Sequence, residues 1–184
     1  MVGVLRAYML QNIGGTLEGR QVLLKVLKPS DVSEAYVSWL NDPIVNKYLE
    51  TRYGTLSDVK EYVESKLKSD SAILWGIFWK DGKHIGNIKL EPIDFGKKVA
   101  TVGILIGDKE YWGRGVATES IELISNYAFE MLHLEKIILG VMKENASAIH
   151  VYKKCGFSIV EVQNGAINHN GILHDQILME KVHS

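Results

Sequence analysis

The stretch from residue 104 to residue 119 has the composition of an anion-binding turn. An apolar strand-like run ends at Ile106, glycines stand at positions 113 and 115, and an amphipathic helical pattern begins at Val116. Glycine adopts backbone conformations that other residues resist, and it lets main-chain N–H groups approach a ligand closely. The first N–H groups of a helix lack internal partners and carry partial positive charge, so a helix that begins here would suit a pyrophosphate.

This turn differs from two common phosphate-binding motifs. A dinucleotide-binding fingerprint would carry glycine or alanine where this chain has Thr118, and a P-loop would require Gly-Lys-Ser or Gly-Lys-Thr, which is absent. Arg114 and Thr118 could instead add a cation and a hydroxyl group to the turn. Two glycines in a turn are also common without any ligand, so this segment alone leaves both interpretations open.

A second group of residues with chemical potential runs from Asn145 to Phe157. Asn145 follows an apolar run and precedes a helical pattern, on which Ala148 and Tyr152 lie four residues apart and therefore on one face. Gly156 would end this helix, and Phe157 would return the chain to the core. Without a ligand these residues are an N-cap, a half-buried tyrosine and a helix stop. Beside a ligand, Tyr152 could instead take part in catalysis, although packing is the more common role of such a tyrosine.

Both segments must be positioned by the surrounding strands and helices. Asp81-Gly82 favours a type I′ hairpin turn, and Thr55 and Asp58 have the spacing of a capping box. The helix between the strands that end at 106 and begin at 136 is a crossover, which implies a parallel or splayed pairing of those strands. We predict an α/β fold with a mixed sheet and helices on both faces. The predicted strands are 22–27, 73–79, 84–90, 99–106, 136–141, 157–162 and 175–181; the predicted helices are 57–68, 116–132, 147–155 and one through 40 after a turn and N-cap at 29–31.

The composition is that of an ordinary globular domain. Of the 184 residues, 46% are hydrophobic and 23% are charged, and we expect a single domain over 1–184 in which residues 1–16 are a candidate for a loosely held extension. The 21 basic and 22 acidic residues nearly balance, which argues against a nucleic-acid or membrane-surface partner. A lone cysteine, Cys155, excludes an internal disulfide and a CxxC metal site. No apolar run is long enough to cross a membrane, so we expect a cytoplasmic protein. We also expect no metal.

In this order, with a strand between them, the two segments resemble the paired motifs of the GNAT N-acetyltransferase superfamily. The first family motif, Gln/Arg-x-x-Gly-x-Gly/Ala, is similar to the run from Trp112 to Ala117. The second, Asn-x-x-Ala/Ser-x-x-x-Tyr-x-x-x-Gly-Phe, is similar to the run from Asn145 to Phe157. The resemblance covers residues 17–181. Two further segments, Trp39 to Pro43 and His84 to Ile88, resemble one branch of this superfamily. That branch contains ribosomal-protein N-terminal acetyltransferases and many sugar- and antibiotic-modifying relatives.

The resemblance implies a central, mostly antiparallel, splayed sheet and acetyl-CoA as co-substrate. The backbone of the 104–106 strand would orient the thioester, the 113–118 turn would hold the pyrophosphate, and Asn145 would hydrogen-bond the pantetheine arm. Tyr152 would protonate the leaving thiolate, which suits a phenol that stays protonated at physiological pH. The residues implied in cofactor binding are Ile104, Leu105, Ile106, Gly113, Arg114, Gly115, Val116, Ala117, Thr118, Asn145, Ala148 and Tyr152.

The general base is less well defined by the sequence. Trp112 replaces the family's usual Gln or Arg, and Gly140 stands where some relatives carry a glutamate base. We rank Glu91, at the end of a hairpin strand, first as the catalytic base, because that strand end should face the acceptor. The other candidate bases are Asp94, His84 and His174.

The acceptor is also open. It is a primary amine of a small molecule, with amino sugars among the candidates, or a protein N-terminus, and we expect a monomer or homodimer. The residues expected to line its pocket are Trp39, Tyr48, Glu50, Arg52 and Tyr53. The competing class is a non-catalytic acyl-CoA-binding module, which the presence of both Asn145 and Tyr152 disfavours. A nucleotide-dependent transferase would bind ATP or NAD instead of CoA.

Overall fold

In the computed structural model, which describes residues 15–49, 54–169 and 171–183, the chain forms an eight-stranded sheet. The spatial order is β1-β2-β3-β4-β5-β6-β8-β7, and every neighbouring pair is antiparallel except β5 with β6. The strands are β1 (Thr16–Glu18), β2 (Val22–Val26), β3 (Ile73–Trp79), β4 (His84–Asp94), β5 (Val99–Ile106), β6 (Lys136–Met142), β7 (Ser158–His169) and β8 (Ile172–Val182). The α-helices are α1 (Glu34–Asn41), α2 (Leu56–Leu67), α3 (Val116–Asn126) and α4 (Ala146–Lys154).

Two layers of helices cover opposite faces of this sheet. Helices α3 and α4 pack on one face in a core cluster with the inward residues of β2 to β6 and β8. Helices α1 and α2 pack on the other face in a second cluster that includes Leu74 and Leu105. The pleat of β5 shows the division, because Ile104 and Ile106 contact the first cluster while Leu105 contacts the second. The predicted mixed sheet with helices on both faces and the parallel crossover pairing are confirmed.

Several local predictions need correction. Helix α1 begins at Glu34, with Ser33 as its N-cap, because residues Pro29–Asp31 form a separate 3-10 turn. The hairpin turn is not type I′: Gly82 has φ +90°, but Asp81 is not among the described residues with positive φ, and the Gly82 N–H donates to the Trp79 carbonyl at 2.9 Å. This is the three-residue loop in which a type I turn is followed by a left-handed glycine.

Other element ends also differ from the prediction. The helix predicted to reach residue 132 changes after Asn126 into a π-helix over Tyr127–Met131. Strands β7 and β8 form a longer hairpin than expected, while the predicted capping box of Thr55 and Asp58 is present. Residues 1–14, most of the predicted extension, lie outside the described residues, and Thr16 already begins β1. The single-domain assignment stays a prediction.

Within the described ranges, no helix is both long and apolar enough to span a membrane. The same residues contain no group of three or more His, Cys, Asp or Glu side chains placed to hold a metal ion.

A Schellman motif ends α4 and fixes the place of Tyr152. The Phe157 N–H donates to the Tyr152 carbonyl at 3.0 Å, and the Gly156 N–H donates to the Lys153 carbonyl at 3.0 Å. Gly156 has φ +88°, the left-handed conformation that this motif requires. The rings of Phe157 and Tyr152 pack with centroids 6.0 Å apart, which is the apolar contact that accompanies such ends. The predicted helix stop at Gly156 is confirmed.

We expect Gly156→Ala to destabilise the protein through this backbone conformation. A Cβ at this position would meet only ordinary contacts, the nearest at 3.7 Å, so the cost is that of a left-handed alanine. It amounts to about 1–2 kcal/mol, or a decrease in Tm of roughly 3–6 °C, measurable by calorimetry. Gly54→Ala is the matched control, since Gly54 lies outside the left-handed region and its nearest contact is at 3.9 Å. Equal effects of the two substitutions would contradict the explanation.

Candidate active site

The sheet opens between β5 and β6. These strands pair in register only at Val99–Thr101 with Lys136–Ile138, although β5 continues to Ile106 and β6 to Met142. Each strand stays paired along its other edge, β5 with β4 and β6 with β8. The opening is therefore bordered on each side by a strand that is hydrogen-bonded into the sheet. We call the space between residues 102–106 and 139–142 the gap.

Backbone groups of β5 face into this gap. The Gly107 N–H donates to the Ile85 carbonyl of the β4 side at 3.0 Å. Hydrogen-bonding direction alternates along an antiparallel strand, so the amides of Ile104 and Ile106 point away from β4, toward the gap. Leu105 points its backbone to β4 and its side chain to the α1 and α2 layer. The strand thus presents two amide groups that an extended ligand could pair with.

The turn after β5 leads into a helix N-terminus with open donors. Gly113 has φ +73°, and Gly115, the N-cap of α3, has φ +82°. No side chain of a described residue caps this helix, and its first turn closes with a hydrogen bond from the Glu119 N–H to the Gly115 carbonyl at 3.0 Å. The N–H groups of the three residues between them have no intrahelical partner. These residues are Val116, Ala117 and Thr118.

Side chains around this turn leave space for an anion. A Cβ built at Gly113 would meet nothing within 4 Å, and one at Gly115 only the Gln21 Nε2 at 4.0 Å. Arg114 is exposed, and its guanidinium lies over the Tyr111 ring at 5.3 Å. A pyrophosphate would therefore fit here without a clash. It would be held by the free backbone amides, by the space at the two glycines and by Arg114.

Trp112 and Trp39 fix the junction between β5 and the turn. The Trp112 indole N–H donates to the Ile106 carbonyl at 2.8 Å, which ties the turn to the end of β5. A Cβ at Gly107 would lie 2.1 Å from Trp39 Cδ2, so only glycine lets the indole of α1 pack there. The sequence motif marked Trp112 as a departure from the family pattern, but it did not indicate Gly107, since that contact depends on a residue far along the chain.

Helix α4 begins at the end of β6, on the opposite side of the gap from the turn. The Asn145 Oδ1 accepts from the Ala148 N–H at 3.2 Å and from the Ser147 hydroxyl at 3.1 Å. The N-cap role predicted for Asn145 is confirmed, and its Nδ2 makes no hydrogen bond to another described residue. Each strand bordering the gap thus ends at a helix N-terminus, as in crevices at the carboxyl ends of strands in open sheets.

Tyr152 lies on the α3 and α4 face of the sheet. It is buried in one cluster with Val116, Leu139 and Val141, residues of the elements that border the gap. Burial, with a smaller contribution from Cys155, raises the pKa of Tyr152 to about 12. Its hydroxyl forms no hydrogen bond to another described residue, so none of those residues accepts its proton in a hydrogen bond.

Glu91 lies on the other face of the sheet. Its carboxylate pairs with Lys66 of α2 and with Lys89 of β4, the latter at 2.8 Å. Partial burial acts to raise the pKa of Glu91, but the two lysines outweigh it and hold that pKa below its usual value. The structure does not bring Glu91 and Tyr152 to one face. These ion pairs weigh against the base role, which stays a prediction.

His84, another base candidate, lies in an aromatic environment. His84 is enclosed by the rings of Phe78, Trp39 and Tyr36, and burial lowers the pKa of His84. Its Nε2 lies 2.9 Å from the Gly86 carbonyl and 3.0 Å from the Asn87 Oδ1, so Nε2 carries the proton and the buried Nδ1 is unprotonated.

Asp94 and His174 are more accessible than His84. The backbone N–H of Lys97 lowers the pKa of Asp94. His174 Nδ1 lies 3.3 Å from the Glu144 Oε1, near the N-terminus of α4. Of the predicted acceptor-pocket residues, Tyr48 donates to the Glu144 carbonyl at 3.3 Å, whereas Glu50, Arg52 and Tyr53 lie outside the described residues.

The sequence matches the family described as acetyltransferase (GNAT) domain over residues 21–158, which include the gap, the turn and Tyr152. The chain belongs to this family. The expected fold, the acetyl-CoA-dependent N-acetyltransferase class and acetyl-CoA as co-substrate are thereby confirmed. The individual roles of the site residues stay predictions.

Relatives of this GNAT acetyltransferase are named for amine acetylation. It is 28% identical over 155 residues to spermidine N(1)-acetyltransferase of Escherichia coli (strain K12), covering 84% of this chain and 80% of the relative. It is 33% identical over 124 residues to the probable N-acetyltransferase YjcK of Bacillus subtilis (strain 168), covering 66% and 67%. A solved structure also superposes on this chain, that of spermidine N-acetyltransferase from Vibrio cholerae in complex with CoA and spermine. The TM-score is 0.81 at 24% identity, over 89% of this chain and 96% of the other, which shows the shared fold.

We expect Gly115→Val to weaken CoA binding about tenfold or more, because a valine disfavours the backbone conformation that exposes the α3 amides and crowds the anion. Isothermal calorimetry with CoA measures the effect. Gly171→Val is the matched control: it has φ +80° and no atom within 4 Å of its Cβ, but it lies in the turn between β7 and β8. Unchanged affinity in the Gly115 variant would remove the turn from the phosphate site.

Proposed function

We propose that this GNAT acetyltransferase transfers the acetyl group of acetyl-CoA to a primary amine of a small molecule, with polyamines as the first candidate class. The observation that carries the proposal is the gap between β5 and β6, which the amides of β5 face and beside which two helices begin. The names of the relatives support a polyamine acceptor. Amino sugars and protein N-termini, expected from the sequence as alternatives, are outcomes that the same test can return.

Acetyl-CoA supplies an activated thioester, and the chain supplies position and protons. The α3 amides and Arg114 hold the diphosphate, and the Asn145 Nδ2 is placed to donate to the pantetheine arm. The amides of Ile104 and Ile106 face the region where the thioester carbonyl would lie, and they can stabilise negative charge on its oxygen. Holding donor and acceptor in line supplies a large share of the rate enhancement.

In the proposed reaction, Tyr152 is the acid. The amine nitrogen forms a bond to the acetyl carbon, the carbon–sulfur bond breaks, and the sulfur leaves as a thiolate. Tyr152 donates its phenolic proton to that thiolate and regains one from solvent. With a pKa of about 12, it keeps its proton throughout the physiological range. The amine attacks in its neutral form, and the proton that it loses after attack passes to water, because Glu91 is held as a paired carboxylate of low basicity.

An acceptor panel tests the proposed function. Purified protein with acetyl-CoA is assayed for thiol release with spermidine, glucosamine and a peptide carrying a free N-terminal serine, and products are identified by mass spectrometry. We expect spermidine to give the highest kcat/KM. Tight CoA binding without turnover on any amine would instead identify a non-catalytic acyl-CoA-binding module. Thermal stabilisation by ATP or NAD but not by CoA would identify a nucleotide-dependent protein.

We expect Tyr152→Phe to lower kcat about a hundredfold while the Kd for CoA stays unchanged, because only the leaving-group proton is lost. The ring contact with Phe157 is kept in this variant. Since the pKa is raised, the wild-type rate should show no loss from Tyr152 ionisation until the pH approaches about 12.

Tyr127→Phe is the matched control for this substitution. Burial also raises the pKa of Tyr127 to about 12, but its ring packs against Trp75 in the core and its buried hydroxyl has no hydrogen-bond partner among the described residues. We expect wild-type kcat in the Tyr127 variant. Equal losses in both variants would assign the effect to general destabilisation and remove Tyr152 from the reaction.

A further inference from the structure

Two glycines face each other across the start of the gap. Gly103 of β5 alternates with Val102 and Ile104, which contact the α3 and α4 cluster, so its missing side chain would point to the α1 and α2 face. Gly140 of β6 alternates in the same way with Leu139 and Val141 and points to the same face. Continuing the parallel register of these strands places the two glycines opposite each other.

Long polar side chains from the outer strands lie over these glycines. A Cβ built at Gly103 would be 3.4 Å from the Lys89 Cε, and one built at Gly140 would be 2.2 Å from the Gln176 Nε2 and 2.9 Å from the Gln176 Cδ. Lys89 and Gln176 belong to β4 and β8, the strands that flank β5 and β6. Only the absence of a side chain at residue 140 lets the carboxamide of Gln176 lie against the edge of the gap.

On this side of the gap, the described residues of α1 and α2 leave β6 and β8 uncovered by their core cluster. The α1 and α2 layer reaches Leu105 of β5, but its core cluster contains no described residue of β6, β7 or β8. The same face of β8 carries Val182, which is 56% exposed. The opposite face is covered by α3 and α4 and their core. An acceptor therefore approaches the gap from the α1 and α2 side, where Lys89 and Gln176 are the side chains lying over its edges.

We propose that the Gln176 carboxamide binds the acceptor nitrogen at the gap and so positions the amine for attack. The proposal rests on the proposed function and names an acceptor-binding residue for it. Lys89 carries positive charge and is paired with Glu91 at 2.8 Å, so it repels an ammonium and offers it no acceptor. The Gln176 side chain has no hydrogen bond to another described residue, and its oxygen can accept from an amine N–H. Because the carboxamide is neutral, it holds the amine without stabilising the unreactive ammonium form as a carboxylate would.

Gln176→Ala tests this contact in steady-state kinetics with the panel amine that the wild type acetylates fastest, spermidine being assayed first. We expect the acceptor KM to rise about tenfold, the effect of one lost hydrogen bond, while the KM for acetyl-CoA and the Tm stay at wild-type values. Gln163→Ala is the matched control. Gln163 is directly cross-strand from Gln176 on β7, so it shares the face but lies one strand farther from the gap. It should leave both KM values unchanged.

Gly140→Ala displaces the Gln176 side chain without shortening it. We expect this variant to raise the acceptor KM about as much as Gln176→Ala. The double variant should then be no worse than the more affected single variant, since both changes remove one contact. A double variant whose loss equals the product of the two single losses would show that the residues act independently and would overturn the arrangement.

The outcomes separate this inference from the proposed function. A wild-type protein that acetylates an amine, combined with an unchanged acceptor KM in Gln176→Ala, overturns the role of Gln176 and leaves the function intact. An equal rise in the KM values for acceptor and acetyl-CoA also overturns it, because the side chain would then act on the fold of the gap. A wild-type protein that acetylates no panel amine overturns the proposed function and this inference with it.

Discussion

The site depends on the early end of pairing between β5 and β6. Beyond Thr101 and Ile138 the two strands have no backbone partners in each other, although both remain in the sheet through β4 and β8. Unpaired backbone amides are costly when they are buried away from water. An extended ligand that carries its own amides can satisfy them in the way that an added strand satisfies a sheet edge. The fold therefore keeps an incomplete ladder at the point where a pantetheine arm would complete it.

Charge is distributed around the gap by backbone geometry more than by ionised side chains. Positive potential for a diphosphate comes from the α3 N-terminus, whose amides are exposed because Gly113 and Gly115 are left-handed. On the opposite side, Asn145 uses its carbonyl oxygen to cap α4 and so keeps its amide nitrogen for a ligand. Such neutral donors bind an anionic ligand without requiring desolvation of further charges. This agrees with a chain in which 21 basic and 22 acidic residues nearly balance.

Features encoded by neighbouring residues could be predicted from the sequence. The glycine turn before α3, the capped start of α4 and its end at Gly156 are local patterns, and the structure contains all three. A local pattern gave a wrong prediction where it is compatible with two structures. Asp81-Gly82 fits two types of hairpin turn, and in this chain only the glycine takes the left-handed conformation. The environment of Glu91 could not be predicted, because its partner Lys66 comes from a helix on a different part of the chain. For the same reason the sequence did not indicate the contacts of Trp39 with Gly107 or of Gln176 with Gly140.

Acidity alone does not identify the proton donor in this protein. Burial raises the pKa values of Tyr127 and Tyr152 to about 12, so the two phenols are equally weak acids. Tyr127 begins the π-helix and packs edge-on against Trp75, where its hydroxyl is enclosed. Tyr152 is held by the Schellman end of α4 in the cluster shared by the elements that border the gap. A phenol of such high pKa keeps its proton at physiological pH, and it can protonate a leaving thiolate only from beside it, so position distinguishes the two tyrosines. The proposed role of Tyr152 therefore depends on where the helix ends, which the Gly156-Phe157 pair decides.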